Sequence, residues 1–370
     1  MSMSKRITAY LHAYVGHGRE AGAETTIHDL LKSLVSAGWE ANVVLSEPHY
    51  VGGERVEPYY VDGVFVRMEN GGDTLLEAAA YSDVLISHLD NSERTTYVAQ
   101  KYNKVCVQLI HNTMWQTEGY IACGPDLLVY NTQWVRCHHE GNTNPVAAIP
   151  RVLSPGSDTL MRVDFVMTPD RKTTKIPGIV VHPQIDPKQY ETEGSHDHIT
   201  YVNFHENKGP DIFWKLAAKL PDVQFLGVLG GYGDQKIPEV VPDNVTLIEN
   251  TRDMREVYAL TRAMLVPSMY ESFGRVAIEA AASGIPTIHS DTPGLRESLN
   301  YNDWKLGLMI DRIDHDNIEV WADAVKAVMD GRYYPTYQKK ALSASRYWDL
   351  KRTEETANFV KILEGFLPAT

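Results

Sequence analysis

The feature that most constrains the fold is an alternation of apolar strand patterns with amphipathic helix patterns, which occurs twice along the chain. In the first half, RITAYLHAYVG is typical of a buried strand, and the following ETTIHDLLKSLVSAG is typical of an amphipathic helix. The succession continues to PDLLVYNT, with a hairpin predicted about the Asp62-Gly63 turn. Strands that alternate with helices predict a mostly parallel, doubly wound sheet.

The alternation breaks down over residues 141–180, which are rich in Pro, Gly, Thr and Asn, and it restarts at HITYVNF. We therefore predict an α/β protein of two doubly wound, Rossmann-like domains, 1–180 and 181–344, which face a central cleft. The tail, about 345–370, is predicted to be helical and to pack back on the first domain. Ligands of such sheets bind at the carboxyl ends of the strands, which places a site in the cleft.

Composition excludes several classes of protein. The net charge of −13 disfavours binding to a nucleic-acid backbone, although a local basic patch remains compatible with it. No apolar run approaches the roughly 18 residues of a membrane span, and the N-terminus lacks the apolar core of a signal peptide. The cysteines Cys106, Cys123 and Cys137 lack C-x-x-C spacing, which predicts buried free thiols rather than disulfides or a zinc site. Together these features predict a cytoplasmic protein without a metal centre.

The segment PSMYESFGRVAIEAAASGIPTI carries two carboxylates, Glu271 and Glu279, about a predicted helix start. Ser272 is the predicted N-cap, and the N–H groups at the helix start would form an anion site. Eight residues cover roughly 12 Å along a helix, comparable to the distance between the sugar and the ribose of a nucleotide-sugar. An isolated pair with this spacing is more often two solvated acids. The small residues that follow Glu279, however, predict close packing that buries it.

This segment resembles the donor-binding segment of retaining glycosyltransferases of family four, the glycosyl transferases group 1, which have the GT-B fold. The family's E-x7-E motif, small-residue helix and following Gly-x-Pro strand are all present, and NVTLIENTRDMREVYALTRAMLVPS and GLMID extend the similarity. The resemblance implies transfer of a sugar from a UDP- or GDP-linked donor to an acceptor hydroxyl, with retention of configuration. It implies no metal and no cofactor besides the nucleotide-sugar.

The resemblance also implies roles for residues of the donor segment. Glu279 would bind the ribose hydroxyls, and Glu271 would bind hydroxyls of the transferred sugar. The backbone around Phe273, Gly274 and Arg275 would contact the sugar and the phosphates.

The diphosphate site departs from the family's pattern at one position. Lys208 in YVNFHENKGPD matches the family's diphosphate-binding lysine, but Asn203 stands where the family has an arginine. Asparagine can donate a hydrogen bond but carries no charge, so the diphosphate loses a contact worth roughly 1.5–3 kcal/mol. Either Arg19, Arg275 or Arg296 supplies the missing cation, or the donor site differs from the family's.

Two glycine-rich turns and one histidine complete the predicted site. Gly22 in VGHGREAGAETT matches the family's second loop glycine, which lets the backbone approach a phosphate, and Gly231 in GVLGGYGDQ corresponds to the loop beside the base. His111 ends the strand KVCVQLIH, and the resemblance places it beside the donor sugar and the acceptor. His12 has no such support and is predicted to pack.

The resemblance thus implies a retaining, metal-independent hexosyltransferase with Glu271 and His111 as its catalytic residues. The partners are a nucleotide-sugar donor and an acceptor that is a saccharide, a lipid-linked compound or a small molecule. Three alternatives stay open: the same chemistry on a modified base in DNA, a GT-B sugar-nucleotide epimerase, or a non-catalytic nucleotide-sugar binding module. Donor identity, acceptor identity and oligomeric state are left open by the sequence.

Overall fold

The structure, a computed structural model, describes residues 5–16, 21–51, 54–71, 74–141, 176–231, 233–299 and 307–368. Most of the irregular 141–180 stretch predicted as a loop lies outside the described residues. Two separate sheets carry the fold, with helices packed against them.

The first sheet is built from the N-terminal half. Strands of this half, numbered along the chain, are β1 (Arg6–Leu11), β2 (Glu40–Leu45), β3 (Tyr50–Val51), β4 (Glu54–Arg55), β5 (Tyr59–Val61), β6 (Val64–Met68), β7 (Val84–His88), β8 (Val105–Ile110), β9 (Leu127–Tyr130) and β10 (Gly178–Val180). Eight of them form the sheet in the order β10-β9-β8-β7-β1-β2-β6-β5, in which only the predicted β5–β6 hairpin is antiparallel. The remaining two, β3 and β4, pair with each other.

The second sheet has six parallel strands in the order β13-β12-β11-β14-β15-β16. Its strands are β11 (His198–Val202), β12 (Gln224–Val228), β13 (Val245–Ile248), β14 (Thr261–Val266), β15 (Thr287–Ser290) and β16 (Leu308–Ile310). The helices of the whole described chain are α1 (Gly22–Ser36), α2 (Thr74–Tyr81), α3 (Ser92–Lys101), α4 (Gln116–Ala122), α5 (Gln133–Glu140), α6 (Pro210–Lys219), α7 (Met254–Leu260), α8 (Arg275–Ala281), α9 (Pro293–Leu299), α10 (Ile318–Met329) and α11 (Tyr334–Phe366).

Three helices were not predicted from the sequence. Helix α4 contains Gly119, and α5 is rich in histidine and carries only Val135 as a fully buried apolar residue. Helix α9 begins with Pro293-Gly294, which is typical of a turn. Each of these helices has only seven or eight residues, and tertiary packing rather than local propensity stabilises helices this short.

The carboxyl edges of the two sheets face each other. Thr113, in the loop after β8, donates its backbone N–H to the Tyr270 hydroxyl at 3.0 Å, and Tyr270 follows β14. Asn131, directly after β9, donates its side-chain Nδ2 to the Ser272 hydroxyl at 2.9 Å. The cleft between these edges is where ligands of doubly wound sheets bind.

Helix α11, which is 33 residues long, contributes to the cores of both halves. Near its middle, Trp348 packs in a cluster with α8 residues of the second half, and its indole donates to the Ser298 carbonyl at 2.8 Å. Near its end, Phe359 and Leu363 are fully buried in the core of the first sheet. The helix therefore crosses from the second sheet to the first.

Other sequence predictions have mixed outcomes. No helix in the described part of the chain is long and apolar enough to cross a membrane. All three cysteines are free thiols, but only Cys106 is buried, since Cys123 and Cys137 are partly exposed. The prediction that His12 packs is wrong: its side chain is exposed and hydrogen-bonds to Asp90 and Ser46.

We expect Phe359→Ala to lower the free energy of unfolding by about 3–5 kcal/mol, because it opens a cavity where α11 completes the first core. Urea unfolding followed by circular dichroism measures this change. The matched control is Leu350→Ala on the same helix, where the side chain is 74% exposed and the cost should stay within about 0.5 kcal/mol. Equal effects of the two substitutions would contradict this account of α11.

Candidate active site

The carboxylate of Glu271 lies in the loop after β14 and is almost buried. Its Oε1 accepts hydrogen bonds from Lys208 Nζ at 2.6 Å and from the Ser268 hydroxyl at 2.8 Å. A buried carboxylate needs such partners, because the loss of hydration would otherwise be costly. Both of these bonds end on one oxygen of the carboxylate, and they fix the orientation of the side chain.

Lys208 reaches Glu271 because the turn that carries it packs against β14. Gly209, the next residue, has a φ of +76°, and a Cβ there would lie 2.2 Å from the Pro267 carbonyl oxygen. Only glycine fits such a close approach in this conformation. The glycine of the Lys208-Gly209 pair is therefore sterically required, because it lets the turn pack against β14 and brings the Lys208 ammonium beside Glu271.

The second carboxylate, Glu279, lies in the middle of α8 and is 6% exposed. Its Oε1 accepts from Arg275 Nε at 3.0 Å, one helical turn earlier. Its Oε2 accepts from the Tyr258 hydroxyl at 3.0 Å. The carboxylate is therefore held at both oxygens, and each oxygen retains a further lone pair for a ligand hydroxyl.

The guanidinium of Arg275 extends from α8 across the cleft to α1. Its Nη2 donates to Asp29 Oδ2 at 2.8 Å, and its Nη1 donates to the Thr26 hydroxyl at 3.2 Å. Burial opposes the charged form, but Asp29 and Glu279 outweigh burial and raise the pKa of Arg275. Gly22, at the start of α1, lies next to the Arg275 side chain, since a Cβ on it would be 3.8 Å from Arg275 Cδ.

The start of α8 differs from the sequence prediction. Gly274, with a φ of +87°, is the residue that precedes the helix, so the prediction that Ser272 is the N-cap is wrong. The left-handed backbone at Gly274 marks the end of the loop and the start of α8. The Ser272 hydroxyl does not cap the helix and accepts a hydrogen bond from Asn131. Phe273 is buried between the Trp348 and His182 rings.

Asn203 organises the glycine-rich loop after β12. Its Oδ1 accepts from the His205 backbone N–H at 3.1 Å and from Gln235 Nε2 at 3.2 Å. Gln235 in turn accepts from the backbone N–H of Gly230 at 2.8 Å. Asn203 has a φ of +73°, a conformation that asparagine tolerates better than arginine does. Asn203 therefore helps to hold the loop that contains Gly231.

The three candidate replacements for the missing cation have different surroundings. Arg19 lies outside the described residues. Arg296 forms an ion pair with Asp291. Arg275 is buried and bound to two carboxylates. Arg275 also lies beside Gly22, in the predicted phosphate loop.

His111 lines a small cavity of the first half, together with Thr26, Asn131 and His182, which lies in the segment after β10. Burial lowers the pKa of His111 to about 4, and the charge of Arg275 contributes in the same direction. The imidazole is therefore neutral near pH 7 and can donate one hydrogen bond and accept another. Its ring lies 4.8 Å, centroid to centroid, from that of His88.

A second polar network, which the sequence did not predict, joins the two halves at His182. Its Nδ1 bonds to Glu355 of α11 at 2.8 Å, and its Nε2 bonds to Glu297 of α9 at 2.8 Å. Glu297 also accepts from the backbone N–H groups of Gln133 at 2.6 Å and Trp134 at 2.9 Å, at the start of α5. One carboxylate of the second half thus caps a helix of the first half.

Burial alone would lower the pKa of His182, but the hydrogen bonds and charges of Glu297 and Glu355 outweigh it and raise the pKa to about 9. His182 is therefore protonated near neutral pH, and its positive charge is shared by two acids. The segment GIVVHPQID gave no sign of this in the sequence, because the two acids lie far away along the chain.

The structure gathers the predicted residues into two groups along α8. Lys208 and Glu271 form one pair before the helix, and Arg275 and Glu279 form the other within it, with Gly22 alongside. His111 lines the same cavity as Thr26, whose hydroxyl accepts a hydrogen bond from Arg275. Gly231 belongs to the loop that Asn203 and Gln235 hold. Sequence reasoning missed Asp29, Tyr258 and the His182 network, for which only contacts distant in sequence give a signal.

Comparisons with known proteins find similarity to a family of glycosyltransferases. Residues 183–344 match the family model described as Glycosyl transferases group 1. The D-inositol 3-phosphate glycosyltransferase of Mycolicibacterium smegmatis is 31% identical over 41% of this chain and 39% of its own length. The Corynebacterium diphtheriae protein of the same name is 26% identical over 65% of this chain and 54% of its own length. The chain thus aligns with only about two fifths to one half of these relatives.

Solved structures resemble the whole described fold. Sucrose-phosphate synthase from Thermosynechococcus elongatus superposes with a TM-score of 0.69 at 14% identity, covering 98% of this chain and 100% of its own. Anabaena HepE in complex with UDP-glucose superposes with a TM-score of 0.68 at 14% identity, covering 97% of this chain and 99% of its own. These likenesses concern the fold, and they confirm the predicted GT-B architecture.

We expect the stability of the protein to depend on the protonation of His182. Its folded-state pKa of about 9 lies above the unfolded value of about 6.5, so its stabilisation is complete below about pH 6.5 and is lost as the pH rises through 9. The free energy of unfolding should therefore fall by on the order of 2–3 kcal/mol between pH 6.5 and 9.5. Urea unfolding at several pH values measures this slope.

The matched variant for this measurement is His182→Gln, which keeps a hydrogen-bonding side chain but cannot become charged. Its unfolding free energy should be lower at pH 6.5 and should change less over the same interval. Identical slopes for the variant and the wild type would show that another group causes the pH dependence.

Proposed function

We propose that this chain, whose residues 183–344 match the glycosyl transferases group 1 model, is a retaining glycosyltransferase that uses a nucleotide-diphosphate sugar. The observation that carries the proposal is the pair of buried acids, Glu271 and Glu279, which are oriented by Lys208 of the turn after β11 and by Arg275 of α8, respectively. Buried, oriented carboxylates beside a cleft are suited to hold ligand hydroxyls.

The donor is proposed to lie along α8. Glu279 would hold the ribose hydroxyls, since both of its oxygens are fixed and retain free lone pairs. Glu271 would hold hydroxyls of the transferred sugar, and Lys208, now bonded to Glu271, would turn to the diphosphate. The backbone at Phe273, Gly274 and Arg275 and the approach of Gly22 would complete the phosphate contacts.

The proposed reaction breaks the bond between the anomeric carbon and the leaving phosphate oxygen. The acceptor hydroxyl oxygen forms the new bond on the face that the diphosphate leaves, and its proton passes to a leaving phosphate oxygen. The products are the glycosylated acceptor and a nucleoside diphosphate. Charge that develops on the diphosphate would be stabilised by Lys208 and the start of α8, which is usually the largest contribution in such catalysis.

Neutral His111 would position the reacting sugar. Because its pKa is lowered to about 4, it offers an N–H donor without adding positive charge near the anomeric carbon. Burial makes that hydrogen bond stronger than it would be in water. Glu271 and His111 thus orient and polarise the sugar, and neither has to act as a nucleophile.

Uridine diphosphate sugars are the first donors to test. HepE, whose structure resembles this fold, was solved with UDP-glucose. The alternatives differ in their products: an epimerase releases nucleotide without an acceptor, a binding module consumes no donor, and a DNA-modifying enzyme requires duplex DNA with a modified base. Incubation with UDP- and GDP-sugars, with and without candidate acceptors, separates these cases. Donor that stays intact under every condition would overturn the proposed transferase.

The configuration of the product tests retention. With an α-linked donor, proton NMR of the glycosylated product should show an α-anomeric signal. A β-linked product would show inversion and would contradict the proposed same-face attack.

We expect Glu279→Gln to weaken the binding of UDP by about 10- to 200-fold, because the ribose hydroxyls lose one charged hydrogen bond. Isothermal titration calorimetry measures this affinity. Glu256→Gln, an exposed acid on α7, is the matched control and should leave it unchanged. Equal UDP affinity in the wild type and Glu279→Gln would refute the ribose assignment.

A further inference from the structure

The loop that carries Glu271, residues 267–274 between β14 and α8, is bonded to the first half on both sides of this acid. Tyr270, the residue before Glu271, accepts a hydrogen bond at its hydroxyl from the backbone N–H of Thr113 at 3.0 Å. Ser272, the residue after Glu271, accepts one at its hydroxyl from Asn131 Nδ2 at 2.9 Å. The proposed sugar-binding acid therefore belongs to the second half, while both of its neighbours along the chain are bonded to the first half.

The contact of Tyr270 with the first half has an aromatic part and a polar part. Its ring lies 5.7 Å, centroid to centroid, from that of Trp134 at the start of α5, and aromatic pairs at this separation stabilise beyond the area that they bury. Its hydroxyl bonds to the loop after β8, two residues beyond His111. Removing the hydroxyl alone would thus break the link to the loop after β8 and leave the aromatic contact in place.

The contact of Ser272 with the first half is part of a closed ring of contacts. Asn131 directly follows β9, and two residues later the backbone N–H of Gln133 donates to Glu297 of α9 at 2.6 Å. Helix α9 in turn packs against the Glu271 loop, since a Cβ on Gly294 would lie 2.4 Å from the carbonyl carbon of Ser272. The contacts therefore return from α9 to Ser272 and from there to Asn131. Such a ring restricts the loop more than one isolated hydrogen bond would, because a shift of any member disturbs the next.

These backbone contacts matter most when a donor is bound. In the structure the Glu271 carboxylate is held by Lys208 Nζ at 2.6 Å and by the Ser268 hydroxyl at 2.8 Å. In the proposed function Lys208 turns to the diphosphate, so Glu271 loses one of these two bonds. Its position then depends more strongly on the backbone at Tyr270 and Ser272. A displacement of about 1 Å can cost roughly 100-fold in rate, so a small shift of this backbone would slow the reaction.

We propose that the first half positions Glu271 for the transferred sugar. Asn131 acts through Ser272, and Thr113 acts through Tyr270. These four are positioning residues, because they act on the sugar through Glu271. The inference rests on the proposed function, which assigns the sugar hydroxyls to Glu271. It adds Asn131, Thr113 and Tyr270, to which the sequence gave no role.

The experiment measures turnover by the full chain, as release of the nucleoside diphosphate, and the affinity for that nucleoside diphosphate by calorimetry. The donor is the nucleotide-sugar that the wild type consumes in the incubations described above. Ser272→Ala removes the acceptor of the Asn131 bond. Tyr270→Phe removes the hydroxyl and keeps the ring beside Trp134. Each should lower kcat by about 10- to 100-fold, because Glu271 is displaced, and should change donor KM and nucleoside diphosphate affinity by less than about twofold.

Three further variants separate positioning from general damage to the fold. Ser272→Thr keeps the hydroxyl and should retain kcat within about threefold of the wild type. The matched controls are Ser343→Ala, which removes an exposed serine hydrogen bond on α11, and Tyr81→Phe, which removes the hydroxyl of a tyrosine that is 72% exposed. Both controls should leave kcat and KM unchanged. Unchanged kcat in Ser272→Ala and Tyr270→Phe, or a loss of nucleoside diphosphate affinity as large as the loss of kcat, would overturn the proposal.

A double-mutant cycle tests whether Asn131 acts through Ser272. Asn131→Ala should lower kcat to the same extent as Ser272→Ala, by about 10- to 100-fold. The double variant should be no slower than either single variant, because both substitutions remove the same contact. Losses that multiply in the double variant would show that Asn131 affects the reaction by another route and would overturn its assigned role.

Hydrogen exchange of the free protein, followed by mass spectrometry, separates this proposal from the proposed function. Amides of the Glu271 loop should exchange about 10-fold faster in Ser272→Ala and Asn131→Ala than in the wild type, because the loop loses its bond to the first half. Unchanged exchange would show that the first half does not hold the loop. If the wild type consumes no nucleotide-sugar, the proposed function fails. If the wild type consumes donor and the variants keep its kcat, only the positioning inference fails.

Discussion

A guanidinium buried between the two halves is the interaction on which the arrangement of the site depends. Arg275 orients Glu279 within α8 and bonds to Asp29 of α1 across the cleft. Removing either carboxylate would leave a buried charge without full compensation, which is far more costly than losing an exposed ion pair. Arg275, which orients Glu279 at the proposed ribose site, therefore also holds the two halves together.

This double role couples the position of the halves to the electrostatics of the cleft. If the halves separate, Arg275 loses Asp29 and keeps Glu279, so the charge beside the proposed ribose site becomes more positive. The His182 network adds a second link, because Glu297 bonds to both the connecting segment and the start of α5. Both links are made by side chains of the protein itself, so together they fix the position of one half relative to the other.

The sequence predicted what depends on short-range patterns and missed what depends on contacts between distant segments. Alternating apolar patterns predicted both sheets, and the spacing of Glu271 and Glu279 predicted two acids about one helix start. The pattern could not reveal that Gly274 replaces Ser272 as the helix boundary, because a left-handed glycine and a serine cap are both compatible with ESFG. It also could not reveal the partners of His182, which come from α9 and α11.

Helix α11 has a consequence for how the chain folds. The core of the first sheet includes Phe359 and Leu363, which follow every strand of the second sheet along the chain. Domains usually fold in order as they emerge from the ribosome, the N-terminal one first. Here the N-terminal half cannot complete its core until the strands of the second half and α11 have been synthesised, so the half that emerges first cannot become fully stable before the other has emerged.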